Sequence, residues 1–162
     1  MTTRTWQGPS ARQRQRILRE TTSVAIVGAS RNPSRASYFV NRYLASTSHY
    51  EVYLVNPTVT DIDGARVYPT LADLPVEPDL VDVFCKHDDL PSVLQEVVAS
   101  NASTLWLQLG LWHEDLARDA EEAGLQVVMD RCLKIEHARF HGGLHLAGFD
   151  TGVIDSRRSS AL

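Results

Sequence analysis

The chain has 162 residues, 43% of them hydrophobic, and a net charge of −4, enough for one domain with its own core and too little for two full ones. No apolar stretch approaches the roughly 20 residues that cross a bilayer, which excludes a membrane-spanning helix. The two cysteines, Cys85 and Cys132, stand far apart and residues 1–16 lack an apolar segment of the signal-peptide kind, so a reducing, cytoplasmic setting is expected.

Residues 1–9 read as a tail. Ser10 can cap a helix running to about Thr21, with Ile17 and Leu18 as its apolar residues, and this helix is expected to pack on a sheet edge. Residues 1–42 hold eight of the sixteen basic residues and one acid, Glu20, a surplus of +7, whereas residues 43–162 hold eight basic residues against nineteen acids, a balance of −11. Such asymmetry can mark a nucleic-acid arm. Here Arg12, Arg14, Arg16 and Arg19 share the first helix and read as a solvated face, and no aromatic residues interleave with them, so no nucleic-acid partner is expected.

Val24 to Val27 is a short apolar run followed at once by Gly28-Ala29-Ser30, the pattern of a buried strand entering a tight turn. The turn leads through Asn32-Pro33 into a helix over Ser37 to Thr47, with Phe39, Val40, Tyr43 and Leu44 at helical spacing. A loop between a strand and a helix is where backbone N–H groups and the positive helix end receive a phosphate. Arg31 and Arg35 stand beside it, and guanidinium forks suit phosphate oxygens.

Val52 to Val55 reads as the second strand, ended by Asn56-Pro57. An irregular stretch follows, with turn residues at Asp63-Gly64, Pro69, Pro75 and Pro78 and at most a turn of helix near Leu71. Leu80 to Phe84 is the third strand, Pro91 to Ala99 a helix with Asp88 or Asp89 near its N-cap, and Leu105 to Leu109 the fourth strand. A helix from His113 to Ala123 ends at Gly124, Val127 to Met129 is the fifth strand, and a last helix spans about Cys132 to Phe140.

Strands alternating with helices in this way specify an α/β fold: a doubly wound, Rossmann-like parallel sheet of five strands, with expected order 3-2-1-4-5. The expected organisation is a tail and helix over 1–21, the single α/β domain over 22–140 and a C-terminal extension over 141–162. Ligands of such sheets bind at the carboxyl ends of the strands, beside strand one. Five segments are therefore expected to meet: Gly28-Ala29-Ser30, Asn56-Pro57, Phe84-Cys85-Lys86, Gln108-Leu109-Gly110 and Asp130-Arg131-Cys132.

A dinucleotide site calls for GxGxxG in the first loop and an acid closing the second strand. This chain has GASRNP, with one glycine, and the neutral Asn56. Both departures argue against NAD, while the loop arginines suit a ligand with a pyrophosphate and a further phosphate.

VAIVGASRNPSRASY from Val24, VNP from Val55, DLVDVFCKHDDLP from Asp79, LWLQLG from Leu105 and EEAGLQVVMDRCLKIEH from Glu121 together resemble the small stand-alone CoA-binding proteins, over about Thr22 to His137. The resemblance, shared with the CoA-binding domain of succinyl-CoA synthetase, implies that the first loop holds the CoA pyrophosphate. Gly28, Ala29 and Ser30 would then supply backbone N–H groups and a hydroxyl, Ser37 a further donor and Arg31 or Arg35 the balancing charge, with Pro33 among the binding residues. Asn56-Pro57 and Phe84-Cys85-Lys86 match the segments beside the nucleotide, with Lys86 as a point charge. The synthetase's phosphorylated histidine and partner subunit have no counterpart among these motifs, so no catalytic residue carries over. The expected role is to hold, sense or present CoA or an acyl-CoA, through a protein partner or a homo-oligomer. The alternative is an NAD(P)-linked or acyl-transferring enzyme using the same crevice.

Several residues have both a plain and a sharp reading. Cys85 and Cys132 each follow a strand and could approach one another or a CoA thiol, although buried cysteines are usually inert packing. His137, His141 and His145 are spaced by four, but Gly142-Gly143 breaks the helix between them and no metal is expected. Lys134 and Glu136 read as structural pairing rather than an acid–base pair. Trp106 reads as core, and Trp112 as lining the crevice or an interface. Gly142 to Gly152 is expected to cover a sheet edge or a second subunit, and the final SRRSSAL to be mobile.

Overall fold

The computed structural model describes residues 3–141. The readings that fall on Gly142-Gly143, His145, Gly142 to Gly152 and the final SRRSSAL lie outside them.

Strand β1 (Ser23–Val27) is buried along almost its whole length. It pairs in parallel with β2 (Glu51–Val55) on one side and β5 (Leu80–Val83) on the other. Beyond β5 lie β6 (Thr104–Leu107) and β7 (Gln126–Val128), both parallel. Beyond β2 lie β4 (Ala65–Tyr68), parallel to it, and β3 (Asp61–Ile62), antiparallel to β4. Among the described residues the sheet thus has seven strands in the order β3-β4-β2-β1-β5-β6-β7.

The doubly wound α/β class holds, but two expectations within it are corrected. The third strand of the sequence reading, now β5, lies beside β1 and not beyond β2. Burial explains why: Leu80-Val81-Asp82-Val83 is covered on both faces and belongs in the middle of the sheet, whereas β2 begins exposed at Glu51 and becomes covered only at Leu54 and Val55. The count of five becomes seven because the stretch after Pro57 contains a hairpin. Its two-residue turn is Asp63-Gly64, with φ of 52° and 86°, the left-handed pair that joins twisted strands in a type I′ turn.

Among the described residues, five helices cover the two faces. Helices α3 (Leu90–Ala99) and α4 (Glu114–Glu122) bury Val93, Val97, Leu116, Ala117 and Ala120 against Ala25, Val81, Val83, Leu105 and Val127. Helices α1 (Ala11–Glu20), α2 (Ala36–Thr47) and α5 (Leu133–His141) bury Ile17, Leu18, Val40, Leu44 and Leu133 against Val24, Ile26, Leu80 and Trp106. Successive strand residues feed opposite layers, as the two-residue period of a strand requires. Trp106 is core, as read, and its indole N–H donates to the Arg131 carbonyl at 2.8 Å.

Ser10 caps α1 in a reciprocal capping box with Gln13. The helix packs on α5 and against the sheet through Ile17 and Leu18, and Arg14 is not part of a solvated face. It is buried, and its Nε donates to Glu136 Oε1 at 2.5 Å. Glu136 is therefore a structural partner, as its pairing reading had it, but to Arg14 and not to Lys134. No helix among the described residues is long and apolar enough to cross a membrane.

Candidate functional site

The chain order reverses between β1 and β5, so the crevice expected of this fold opens over their carboxyl ends. Gly28 sets its base. It has φ of 85°, and a Cβ there would stand 1.9 Å from the Phe84 carbonyl oxygen. Only glycine allows the two strand ends to approach so closely. A concavity of about 530 Å³ lies above, lined by Gly28, Ser30, Arg35, Ser37, Phe84 and Lys86, together with Ala36, Cys85 and the segment Gln108 to Leu111.

The polar groups facing this space differ from those the sequence suggested. The Gly28 and Ala29 N–H groups both donate to the Val55 carbonyl, at 3.0 and 3.2 Å, so they close the β1–β2 seam instead of facing a ligand. The open donors sit one turn later. Arg35 occupies the N-cap of α2 without a capping hydrogen bond, which leaves the first N–H groups of the helix, on Ala36 and Ser37, without an acceptor among the described residues. Both residues line the crevice, and the helix dipole adds its positive end there. Arg35 and Lys86 bring two cationic residues to the lining of this space.

The rest of the first loop faces elsewhere. The Asn32 N–H donates to Ser30 Oγ at 3.0 Å, and Asn32 Oδ1 accepts from the Ser34 N–H and hydroxyl at 3.0 and 2.8 Å. This local turn leaves Arg31 and Pro33 exposed and outside the crevice lining. Ala29 is buried beneath it. Asn56 supports the loop from below: its Nδ2 donates to the Ala29 carbonyl at 2.7 Å, and its Oδ1 accepts from the Thr58 N–H and hydroxyl. Asn56 and Pro57 do not line the crevice.

Of the five segments expected to converge, those after β1, β5 and β6 do so. Asp130-Arg131-Cys132 does not: Asp130 and Arg131 line a separate concavity near the N-terminal segment. The two are joined through the Gly110 N–H, which donates to Asp130 Oδ1 at 2.8 Å. Trp112 lines that second concavity and not the crevice. Sequence reading passed over Ala36 and Leu111. The signal for Ala36 was an arginine, a poor capping residue, standing where α2 begins.

Cys85 and Cys132 are both free and half-buried, and they belong to opposite apolar layers, so they do not approach one another. Burial, helped by the nearby charge of Asp89, pushes the Cys85 thiol up to about 11, the reverse of an activated nucleophile. Asp82 is fully buried on β5, level with Ile26 and Trp106, and neither carboxyl oxygen has a hydrogen-bond partner among the described residues. Burial raises it well above the ordinary carboxylate range. His137 is buried, with Nδ1 3.0 Å from the Tyr43 hydroxyl. No group of three or more His, Cys, Asp and Glu side chains gathers among the described residues.

Comparison with known proteins places this geometry. A family model described as a CoA binding domain matches residues 22–138. The Bacillus subtilis protein YneT, itself uncharacterized, is 33% identical over 132 residues, which cover 82% of this chain and 97% of YneT. A hypothetical protein from Pyrococcus horikoshii is 32% identical, with a TM-score of 0.79 over 88% of this chain and 99% of that one. A dinucleotide-forming acetyl-coenzyme A synthetase from Ca. Korarchaeum cryptofilum is 25% identical, with a TM-score of 0.58, and the match spans 65% of this chain and 25% of the synthetase.

Proposed function

The chain belongs to the CoA binding domain family, and on that premise we propose that the crevice over β1 and β5 holds CoA or an acyl-CoA without transforming it. The observation that carries the reading is the uncapped start of α2. Its free N–H groups on Ala36 and Ser37, with the Ser30 and Ser37 hydroxyls, Arg35 and Lys86, form a donor set of the kind a pyrophosphate requires. Phe84, Cys85, Leu109 and Leu111 give the same space an apolar wall, which suits the pantetheine arm. When bound, CoA would supply a thioester-forming thiol. The chain's own residues would bind and orient it.

The expected site residues then divide by role. Ser30, Arg35, Ser37, Phe84, Cys85 and Lys86 contact the ligand, while Gly28, Ala29 and Asn56 hold the loop in shape. Arg31, Pro33 and Pro57 are left as outer positions. An NAD(P) site is disfavoured because Asn56, which stands where an acid would hold the ribose diol, has its side chain engaged by Ala29 and Thr58. An acyl transfer through Cys85 is disfavoured by the raised thiol. A module that holds or presents CoA is the reading these observations favour.

Native mass spectrometry of the purified protein tests it. With CoA added, a one-to-one adduct of CoA mass is expected, and NAD at the same concentration should give none. Retention of NAD with no CoA adduct would overturn the reading.

A further inference from the structure

The second concavity lies where the N-terminal segment crosses the carboxyl ends of β6 and β7. Its volume is about 390 Å³, and Arg4, Trp6, Arg14, Trp112, Asp130 and Arg131 form its working walls. Trp6 and Trp112 meet edge to face at 5.6 Å, and the Arg4 guanidinium lies 3.8 Å over the Trp112 ring. The segment is pinned by Glu114, whose carboxylate accepts from the Thr5 N–H and hydroxyl, the Trp6 N–H and the Trp112 indole. The Thr5 hydroxyl above all, against the opposing effect of burial and with help from Trp112 and the two N–H groups, holds Glu114 down to about 2.

The charges of this concavity do not balance. Arg14 is committed, donating to Glu136 Oε1 and, at 2.9 Å, to the Pro9 carbonyl. Arg4 bonds Asp130 Oδ2 at 3.1 Å. Arg131 has no hydrogen bond from its guanidinium among the described residues. It only approaches Glu136 Oε2, at 3.8 Å, and Arg139 approaches the same oxygen at 3.7 Å. Among the described residues Arg4, Arg14, Arg131 and Arg139 pair only with Asp130 and Glu136, and on the wall Arg131 is the guanidinium with a long ion pair and no hydrogen bond.

This space neighbours the crevice along one loop, although no residue lines both. Gly110 and Leu111 line the crevice, Gly110 is bonded to Asp130, and Trp112 follows Leu111 directly into the second concavity. We infer that the second concavity receives the acyl end of an acyl-CoA, and that the acyl group it selects ends in a carboxylate. The inference rests on the CoA reading of the crevice. The tryptophan faces suit the methylene part of such a group, and the Arg131 fork, with Arg4 beside it, suits the carboxylate. A neutral acyl chain would instead cover the Arg131 charge and give it no partner.

Calorimetry with glutaryl-CoA and pentanoyl-CoA, matched in chain length and differing in a terminal carboxylate against a methyl, tests this on the full chain. Glutaryl-CoA is expected to bind about tenfold more tightly, as one charge-assisted pair allows. In Arg131→Gln that ratio should fall towards one, and in Arg4→Gln it should shrink. Both side chains are about half exposed, so neither change threatens folding, and each ratio is read within one variant. Equal affinities in the unaltered protein, or a preference that survives both substitutions, would overturn the inference while leaving CoA binding intact. Failure of every CoA species to bind would remove the CoA reading and this inference together.

Discussion

The two halves of the sheet's carboxyl-end side are held by different physics. Over β1 and β5 the backbone is fixed by contact: Gly28 lies against Phe84 so closely that a single methyl group has no room. Over β6 and β7 it is fixed by charge and hydrogen bonds. Gly110 has a similar φ, 92°, yet nothing stands within 4 Å of where its Cβ would be, and its N–H is tied to Asp130. Close contact makes a cradle of one shape, suited to a pyrophosphate that every CoA species carries. Ion pairs make a wall that can exchange partners, as the proposed choice among acyl groups requires.

Substitution at the first glycine should break this contrast most sharply. Gly28→Ala combines a left-handed backbone with a backbone clash, each costing about 1–3 kcal/mol, so a loss of about 4 kcal/mol is expected in chemical denaturation. A near-neutral result would mean that the Phe84 contact is not what sets the cradle.

Asp82 lies two residues before Phe84 and places an unpartnered carboxyl under the same half. In the unfolded chain it ionises near the ordinary 3.8, whereas burial raises the folded value well above that. The folded state therefore suffers no ionisation penalty below about pH 3.8 and loses stability as pH rises from there towards the folded value. Asp82→Val should be more stable than the unaltered protein by about 1–3 kcal/mol at neutral pH, with the gap narrowing as pH approaches 4. A gap that does not change with pH would contradict the assignment.

The smallest effect is expected on the second half. Gly110→Ala meets open space and bears only the left-handed backbone strain, about 1–2 kcal/mol. A cost as large as that of Gly28→Ala would erase the distinction between the two halves.

The sequence carried the alternation of strands and helices because its apolar runs are bounded by glycine, proline and capping residues. It carried Gly28 for the same reason: a glycine directly after a buried run marks a forced turn. The place of β5 was harder, since a run of strands and helices fits more than one winding, and only burial on both faces separates a central strand from an outer one. The β3–β4 hairpin left just its Asp63-Gly64 turn as a signal, because strands of two and four residues are too short to show a period. Arg14 looked solvated because its partner, Glu136, lies 122 residues away. In the first loop, residue types suggested Arg31 and Pro33, but the turn closed by Asn32 directs them to solvent. Ser30, Arg35, Ser37 and Lys86 do line the crevice, while the open backbone donors of Ala36 and Ser37 had only the arginine at the start of α2 as a signal.

Those two amides offer the most direct test of the central claim. In a ¹⁵N–¹H correlation spectrum recorded while CoA is added, the largest shifts should fall on Ala36 and Ser37, followed by Ser30, Phe84 to Lys86 and Gln108 to Leu111. Saturable CoA binding that leaves Ala36 and Ser37 unmoved would contradict a pyrophosphate site at the open end of α2.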